Sequence, residues 1–368
     1  MKAVAVIPGQ PNSVHLVDLP KPALHTHGVL VRVIRAGVDG TDREINQAEY
    51  GEAPPGSDVL VIGHESFGRV EAVGDHVSSV HPGDYVVATV RRPDDCINCS
   101  YGEYDMCIKG EYRERGIKGE HGYLAEYYLE TPEYLVRVPP ALEPVGVLLE
   151  PLSIVEKGVH QAYKIQERMV WRPQRALVLG AGTIGLLATF ALRLRGLEVY
   201  TLAKDPKPNL PAKIAEAAGA TYLSAETDPV PGLDEKLGRF DIIFEATGSS
   251  PLAFQAMEVL GNNGVLILSS VTGGDRTAEI PTDLINLEMV LGNKVVVGMV
   301  NANRTYFAHG VQDMVAMEER WPGLLSRLFT HRLHGLEAYR EMMELLENAK
   351  GAIKIVVEVK EIMKPKLG

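Results

Sequence analysis

The run Ala176-Leu177-Val178-Leu179, followed at once by Gly180-Ala181-Gly182-Thr183-Ile184-Gly185, constrains the fold of this chain more than any other stretch. Four apolar residues in a row fit a fully buried strand, and the apolar residues after the glycines fit a packed helix. Strand, G-x-G-x-x-G and helix in that order make a dinucleotide-binding arrangement. The first glycine permits the tight turn, the second lets a pyrophosphate approach the backbone, and the third lets helix and strand pack closely. The helix N-terminus then offers N–H groups and a positive dipole end to the phosphates. The competing reading is a glycine-rich turn with no ligand. Ala176 to Leu192 is also the longest uncharged run, and its 17 residues fall short of the ~20 that span a bilayer.

The pattern around this motif divides the chain. From about residue 146 onward, helical and strand-like stretches alternate: 147–165 helical, then strands at 198–202, 240–244, 265–268 and 294–298, with helices at 212–218 and 252–260. Such alternation implies a parallel sheet with helices on both faces. An amphipathic helix from Leu336 to Asn348 and a strand from Ile353 to Val359 close the chain. Upstream, the reading is all β. Val31-Arg32-Val33 alternates like a half-buried strand, Val59 to Val73 is strand-like around His64-Glu65, and further strands lie at Tyr85–Ala88 and 135–138. Thr41-Asp42-Arg43-Glu44 fits a capping box opening a short helix, and 46–58 reads as a loop.

Composition narrows the class. The 368 residues, 45% hydrophobic, suffice for two domains with full cores. A net charge of -11 and the lack of any basic block argue against nucleic acid or a membrane surface as partner. Three cysteines, an odd number, do not make a secreted disulfide framework, and Met1 to Val6 is too short for a secretory apolar region. The expectation is a cytoplasmic protein.

Two stretches bear on chemistry. After the second strand the chain reads Leu202-Ala203-Lys204-Asp205, with Lys207 beyond. An NAD site places an acid where Ala203 stands. Its absence, with lysines nearby, favours the 2′-phosphate of NADP, while Asp205 keeps NAD open. Ile62-Gly63-His64-Glu65-Ser66-Phe67-Gly68 sets an imidazole beside a carboxylate, and Gly63 and Gly68 permit the backbone turn that lets both reach one ion. With Asp39 upstream and Glu150 downstream, these form an N/O donor set suited to zinc first. Taken alone, a histidine on an apolar strand is as well explained as a hydrogen-bonded core residue.

Gly63-His64-Glu65, a cysteine lobe and then the glycine fingerprint resemble the zinc-containing medium-chain dehydrogenases, more narrowly their archaeal-type glucose dehydrogenases. The matching pieces run nearly end to end and include Gly37 to Asp42, Val90 to Pro93, Glu114 to Ile117, Gly122-Tyr123, Glu150 to Ser153, Glu245 to Gly248 and Gly298 to Asn301. The resemblance implies an α/β two-domain fold: a GroES-like β-rich catalytic domain at 1–155 with a cysteine lobe at 91–121, a Rossmann doubly wound parallel sheet at 156–305, and a C-terminal return to the catalytic domain at 306–368. It implies catalytic zinc at Asp39, His64, Glu65 and Glu150, where most relatives carry Cys instead of Asp39. It implies Thr41 as proton relay and substrate contact, its competing role being the helix N-cap. Glu114, Glu150 and Asn301 become sugar contacts, with Glu114 a bidentate acceptor for vicinal hydroxyls. Cofactor contacts extend from Gly180, Ala181, Gly182, Thr183, Ile184 and Gly185 to Ala203, Lys204, Thr247, Gly248, Val300 and Asn301. Cys96, Cys99 and Cys107 match three of the four ligands of the family's structural zinc, with Asp94 or Asp95 as the fourth. Val90, Ile154 and Leu291 replace polar residues found in some relatives, so one sugar hydroxyl is read loosely and galactose is an expected second substrate. The implied activity is oxidation of D-glucose to its 1,5-lactone by a dimer or tetramer. The alternatives are a polyol or threonine dehydrogenase on the same scaffold, and a non-catalytic cofactor-binding protein.

Overall fold

The computed structural model describes residues 1–359, and its chain divides at Glu150 and again at Val300. One unit holds residues 1–150, 301–311 and the chain from Leu328 onward; the other holds Pro151–Val300 and Gln312–Arg327. The part of the expected C-terminal return beyond residue 359 lies outside the described residues.

The first unit is built on strand Val29–Val38. It pairs antiparallel with Glu65–Val73, Tyr127–Glu130 and Lys354–Glu358, in a seven-stranded sheet. Val31 and Val33 are buried and Arg32 between them is partly exposed, as their alternation predicts, although nine of the ten residues of the strand are buried. Even Arg35 is buried, and Glu358 accepts from its Nε at 2.8 Å. The last strand matters most for the site. Its register, Ile355 against Val38, delivers Lys354 to the end where Glu65 faces Gly37.

Two local expectations need correction. Helix Gly40–Asn46 is capped by Asp39, not Thr41: the Asp39 side chain accepts from the Thr41 N–H at 2.8 Å, and Asp42 accepts from the Asp39 N–H at 3.1 Å. The box is therefore Asp39–Asp42, two short acids one turn apart that satisfy otherwise orphan N–H groups. Gly63 makes the expected turn with φ +88°, but Gly68 lies inside a strand. A Cβ there would come 2.8 Å from the Arg32 carbonyl, so that glycine serves close strand approach.

The second unit carries a six-stranded all-parallel sheet in the order Thr221–Ser224, Glu198–Ala203, Arg175–Leu179, Phe240–Glu245, Leu260–Leu268, Val295–Gly298. The first strand in sequence lies inside the sheet, and later strands are added to one side and then the other. That reversal opens a crevice at the C-terminal end of Arg175–Leu179, where the glycine fingerprint begins. Helix Arg304–Arg320 and strands Thr221–Ser224 and Phe329–His334 were not legible in the sequence pattern. Among the described residues no helix is long and apolar enough to cross a membrane.

Candidate active site and metal centres

His64 stands at the junction of two donor groups. Its ring nitrogens and the carboxylates of Glu65 and Glu150 lie within 4.8 Å of one another, as do those of His64, Asp39 and Asp42. The expected ligands thus fall into two triads that share His64, one with Asp39 and one with Glu65 and Glu150. His64 Nε2 lies 3.6 Å from Asp39 Oδ2. Asp42 has both oxygens engaged by backbone, from Asp39 and from Gly63 at 2.9 Å, and so frames the turn. Thr41 lies half-buried beside Asp39.

The electrostatics of this cluster point to a missing positive charge. Burial pushes the Glu150 carboxyl up to about 8 and that of Asp42 up to about 6. Burial raises Glu65 too, although the Lys354 ammonium opposes it. Four carboxylates face one imidazole and one lysine. His64 Nδ1 and Glu65 Oε2 are buried without a hydrogen-bond partner. Orphaned buried polar atoms of this kind cost free energy unless something else satisfies them. A divalent cation of intermediate hardness fits both the donor chemistry and the charge deficit.

Lys354 is the residue that sequence reasoning missed. It is buried, pairs with Glu65 Oε1, and donates to the Val38 carbonyl at 3.2 Å. Gly37 makes room for this pair, since a Cβ there would overlap Glu65 Oε2. The sequence signal was a charge at the start of a largely apolar final strand.

A second polar group lies in the same unit. Glu114 sits on strand Arg113–Arg115 opposite Arg91. Its Oε1 accepts from Asn301 Nδ2 at 2.9 Å and from Arg91 Nε at 3.0 Å. Glu114 and Asn301, 187 residues apart, are therefore neighbours as expected. With Oε1 engaged by both donors, Oε2 is the oxygen without a protein donor among the described residues.

In the cysteine lobe, one donor atom from each of Asp94, Cys96, Cys99 and Cys107 lies within 4.8 Å of the others, and all three thiols are free. The Cys107 thiol donates to Asp94 Oδ2 at 2.9 Å, and the Cys96 N–H donates to Oδ1 at 2.9 Å. Asp95 is turned away and pairs with Lys109. Three sulfurs and one oxygen around a common point suit a closed tetrahedral zinc site.

The glycines of the second unit divide their work as their spacing predicts. Gly180 adopts φ +107°, and a Cβ there would meet the Ala246 carbonyl at 2.6 Å. A Cβ on Gly185 would overlap the Gly180 carbonyl, so helix and strand need that glycine to pack. A Cβ on Gly182 would meet nothing within 4 Å. Gly182 is the exposed N-cap residue of helix Thr183–Leu194, a helix N-terminus of the kind that suits a pyrophosphate. Thr247 is fixed by Glu245, which accepts from both its N–H and its hydroxyl at 2.6 Å, and Gly248 donates to Ser270 at 3.0 Å. Ala203 ends its strand, and Lys204 beyond it is exposed. Lys207 is instead paired with Glu216 at 2.5 Å. The Val300 carbonyl accepts from buried Lys157 at 2.9 Å, and Asn301 follows it in the chain.

Residues 143–359 match the family model described as the glucose dehydrogenase C-terminus, and residues 25–140 match that of the alcohol dehydrogenase GroES-like domain. The chain belongs to the glucose dehydrogenase family. A glucose 1-dehydrogenase of Methanocella arvoryzae is 49% identical over 98% of this chain and 99% of that one. A glucose 1-dehydrogenase of Caldivirga maquilingensis is 43% identical, with the same two shares covered. Among solved structures, the Haloferax mediterranei glucose dehydrogenase in complex with NADP, Zn and gluconolactone superimposes with a TM-score of 0.88 at 34% identity, covering 98% of this chain and 100% of that one. The fold is accordingly a GroES-like domain joined to a Rossmann sheet.

Proposed function

We propose that this protein oxidises D-glucose at C1 to the 1,5-lactone with hydride transfer to NADP⁺, NAD⁺ being the second cofactor. The observation that carries the reading is the pair of acidic triads that share His64, one with Asp39 and one with Glu65 and Glu150, in which His64 Nδ1 and Glu65 Oε2 lack a hydrogen-bond partner. These residues would hold a zinc ion. When bound, zinc supplies Lewis acidity toward a hydroxyl and the nicotinamide accepts the hydride. The chain does the rest. Glu150 and Glu65 compensate the cation's charge, and Lys354 keeps Glu65 from carrying a full unpaired charge. Thr41 passes the released proton outward. Glu114 accepts from a sugar hydroxyl through Oε2, and Asn301 has a second amide hydrogen to donate. Glycine-lined N–H groups hold the pyrophosphate, with Ala203 and Lys204 toward the ribose.

Asp94, Cys96, Cys99 and Cys107 hold a second, structural zinc in this reading. Free thiols fit a reducing cytoplasm. A homo-oligomer is supported by edge strand Val295–Gly298 and by Leu284, Leu287, Val290 and Leu291, exposed on the helix before it. The test is a panel of aldoses, polyols and L-threonine with zinc-replete protein, each with NADP⁺ and NAD⁺. Glucose with NADP⁺ should give the highest kcat/KM. Turnover of a polyol or threonine alone would overturn the reading.

A further inference from the structure

The carboxylate of Glu114 is held by an arginine that none of the chemistry above uses. Arg91 Nε and Nη2 both lie 3.0 Å from Glu114 Oε1. Its Nη1 lies 3.4 Å from each of the Tyr104 and Asp105 carbonyls, and its guanidinium sits 3.7 Å from the centre of the Tyr112 ring. The side chain is almost fully buried. Tyr104 and Asp105 belong to a short 3-10 turn that runs directly into Cys107. One planar fork thus ties a substrate-facing acid to the backbone of the cysteine lobe. The same turn also grips the stretch that presents Asn301: Asn303 Nδ2 donates to Asp105 Oδ1 at 2.9 Å, and the Arg304 N–H donates to the Tyr104 hydroxyl at 2.9 Å. The amide of Asn301 is itself oriented, because its Oδ1 accepts from the Ala302 N–H at 2.8 Å.

Three donors therefore converge on one oxygen of Glu114, and among the described residues none donates to the other. A carboxylate left free to rotate would offer either oxygen to either of two neighbouring hydroxyls. Pinned at Oε1, it offers one acceptor in one place. Building on the glucose reading, we propose that Arg91 is a positioning residue for sugar recognition: it locks Glu114 so that Oε2 reads a single hydroxyl. Lysine cannot replace it, because a point charge on a flexible stem lacks the fork that spans Glu114 and two carbonyls at once.

The experiment compares glucose with its monodeoxy analogues in wild type, Arg91→Lys, Glu114→Gln and the double variant. Wild type should discriminate sharply against one deoxy sugar. Arg91→Lys should raise KM for glucose roughly tenfold, as for one lost charged hydrogen bond, with kcat within about threefold. KM for NADP⁺ should stay unchanged, and the discrimination against that deoxy sugar should collapse. In the Glu114→Gln background, Arg91→Lys should add little, since both losses act through one carboxylate. Arg91→Gln, which has neither the charge nor the fork, should lower the same discrimination and keeps the test open if Arg91→Lys misfolds. Additive losses in the double variant, equal rises in KM for glucose and every deoxy sugar, or a parallel rise for NADP⁺ would overturn the proposal. No glucose turnover by wild type would remove the activity reading beneath it; turnover with additive losses removes this inference alone.

Discussion

The two donor clusters of the first unit are opposites in chemistry and in chain economy. Asp94, Cys96, Cys99 and Cys107 come from one short lobe, three are soft thiols, and they cap one another. Asp39, His64, Glu65 and Glu150 come from a helix cap, a turn, a strand start and a helix start, and their donors are oxygens around one imidazole. Thiolates bind zinc tightly in closed four-coordinate sites, whereas hard carboxylates discriminate less among divalent ions. On the proposed reading, the comparison sets one cluster suited to retaining a zinc ion against another suited to exchanging it.

The largest expected effect comes from His64, which both halves of the exchangeable site share. His64→Ala should lower kcat on the order of 10³-fold or more, since Lewis acid stabilisation is worth several kcal/mol. Zinc analysis should fall from two per chain to one; a count that stays at two would break the contrast between the clusters. Chelation is next. Dialysis against a chelator should abolish activity while one zinc remains, and added zinc should restore turnover. Asp39→Cys should slow that loss, because a thiolate replaces a hard donor. Simultaneous loss of both zincs would sink the distinction.

Lys354→Gln should weaken binding at the exchangeable site by about 10- to 100-fold, the usual scale for a residue that orients a ligand. Titration with zinc, not turnover, reads this; an unchanged affinity would mean that Glu65 needs no partner. Cys107→Ser should leave kcat within a few-fold but lower Tm by several degrees, at about 2–4 °C per kcal/mol for a chain of this size. An unaltered Tm would argue that the lobe holds no metal.

The smallest effect separates burial from metal binding. Glu150 and Glu156 lie on the same helix, and burial raises both to about 8. Glu156, however, meets Arg195 at 2.8 Å and no metal donors, and its Oε1 is orphaned. Its raised value means the folded state holds the proton more tightly than the unfolded one between its ordinary 4.5 and about 8. Its contribution therefore falls as pH rises through that window. Glu156→Gln should flatten the decline of Tm from about pH 5 to pH 8, without altering zinc content. A decline that persists unchanged would assign it to other groups.

Local signals were legible where a few neighbouring residues suffice. The glycine fingerprint, the strands around it, the turn at Gly63 and the cysteine spacing each rest on a short window. The expectations that failed involve choices a window cannot make. Thr41 looked like the cap, but the helix starts two residues earlier and Asp39 with Asp42 forms the box. Gly68 looked like a second turn, but it lies inside a strand where the Arg32 carbonyl comes close. Nothing near Glu114 in sequence shows that Arg91 and Asn301 engage its Oε1.

The chain alone determined the strand–glycine–helix unit, the alternation that demands a parallel sheet, and the chemical types of the metal donors, because backbone freedom, side-chain period and ligand hardness belong to individual residues. Tertiary structure decided which acids share His64, that Lys354 faces Glu65, and which oxygen of Glu114 stays open. Those are distances between residues far apart in sequence, and only strand register and packing bring them within reach of a hydrogen bond or an ion.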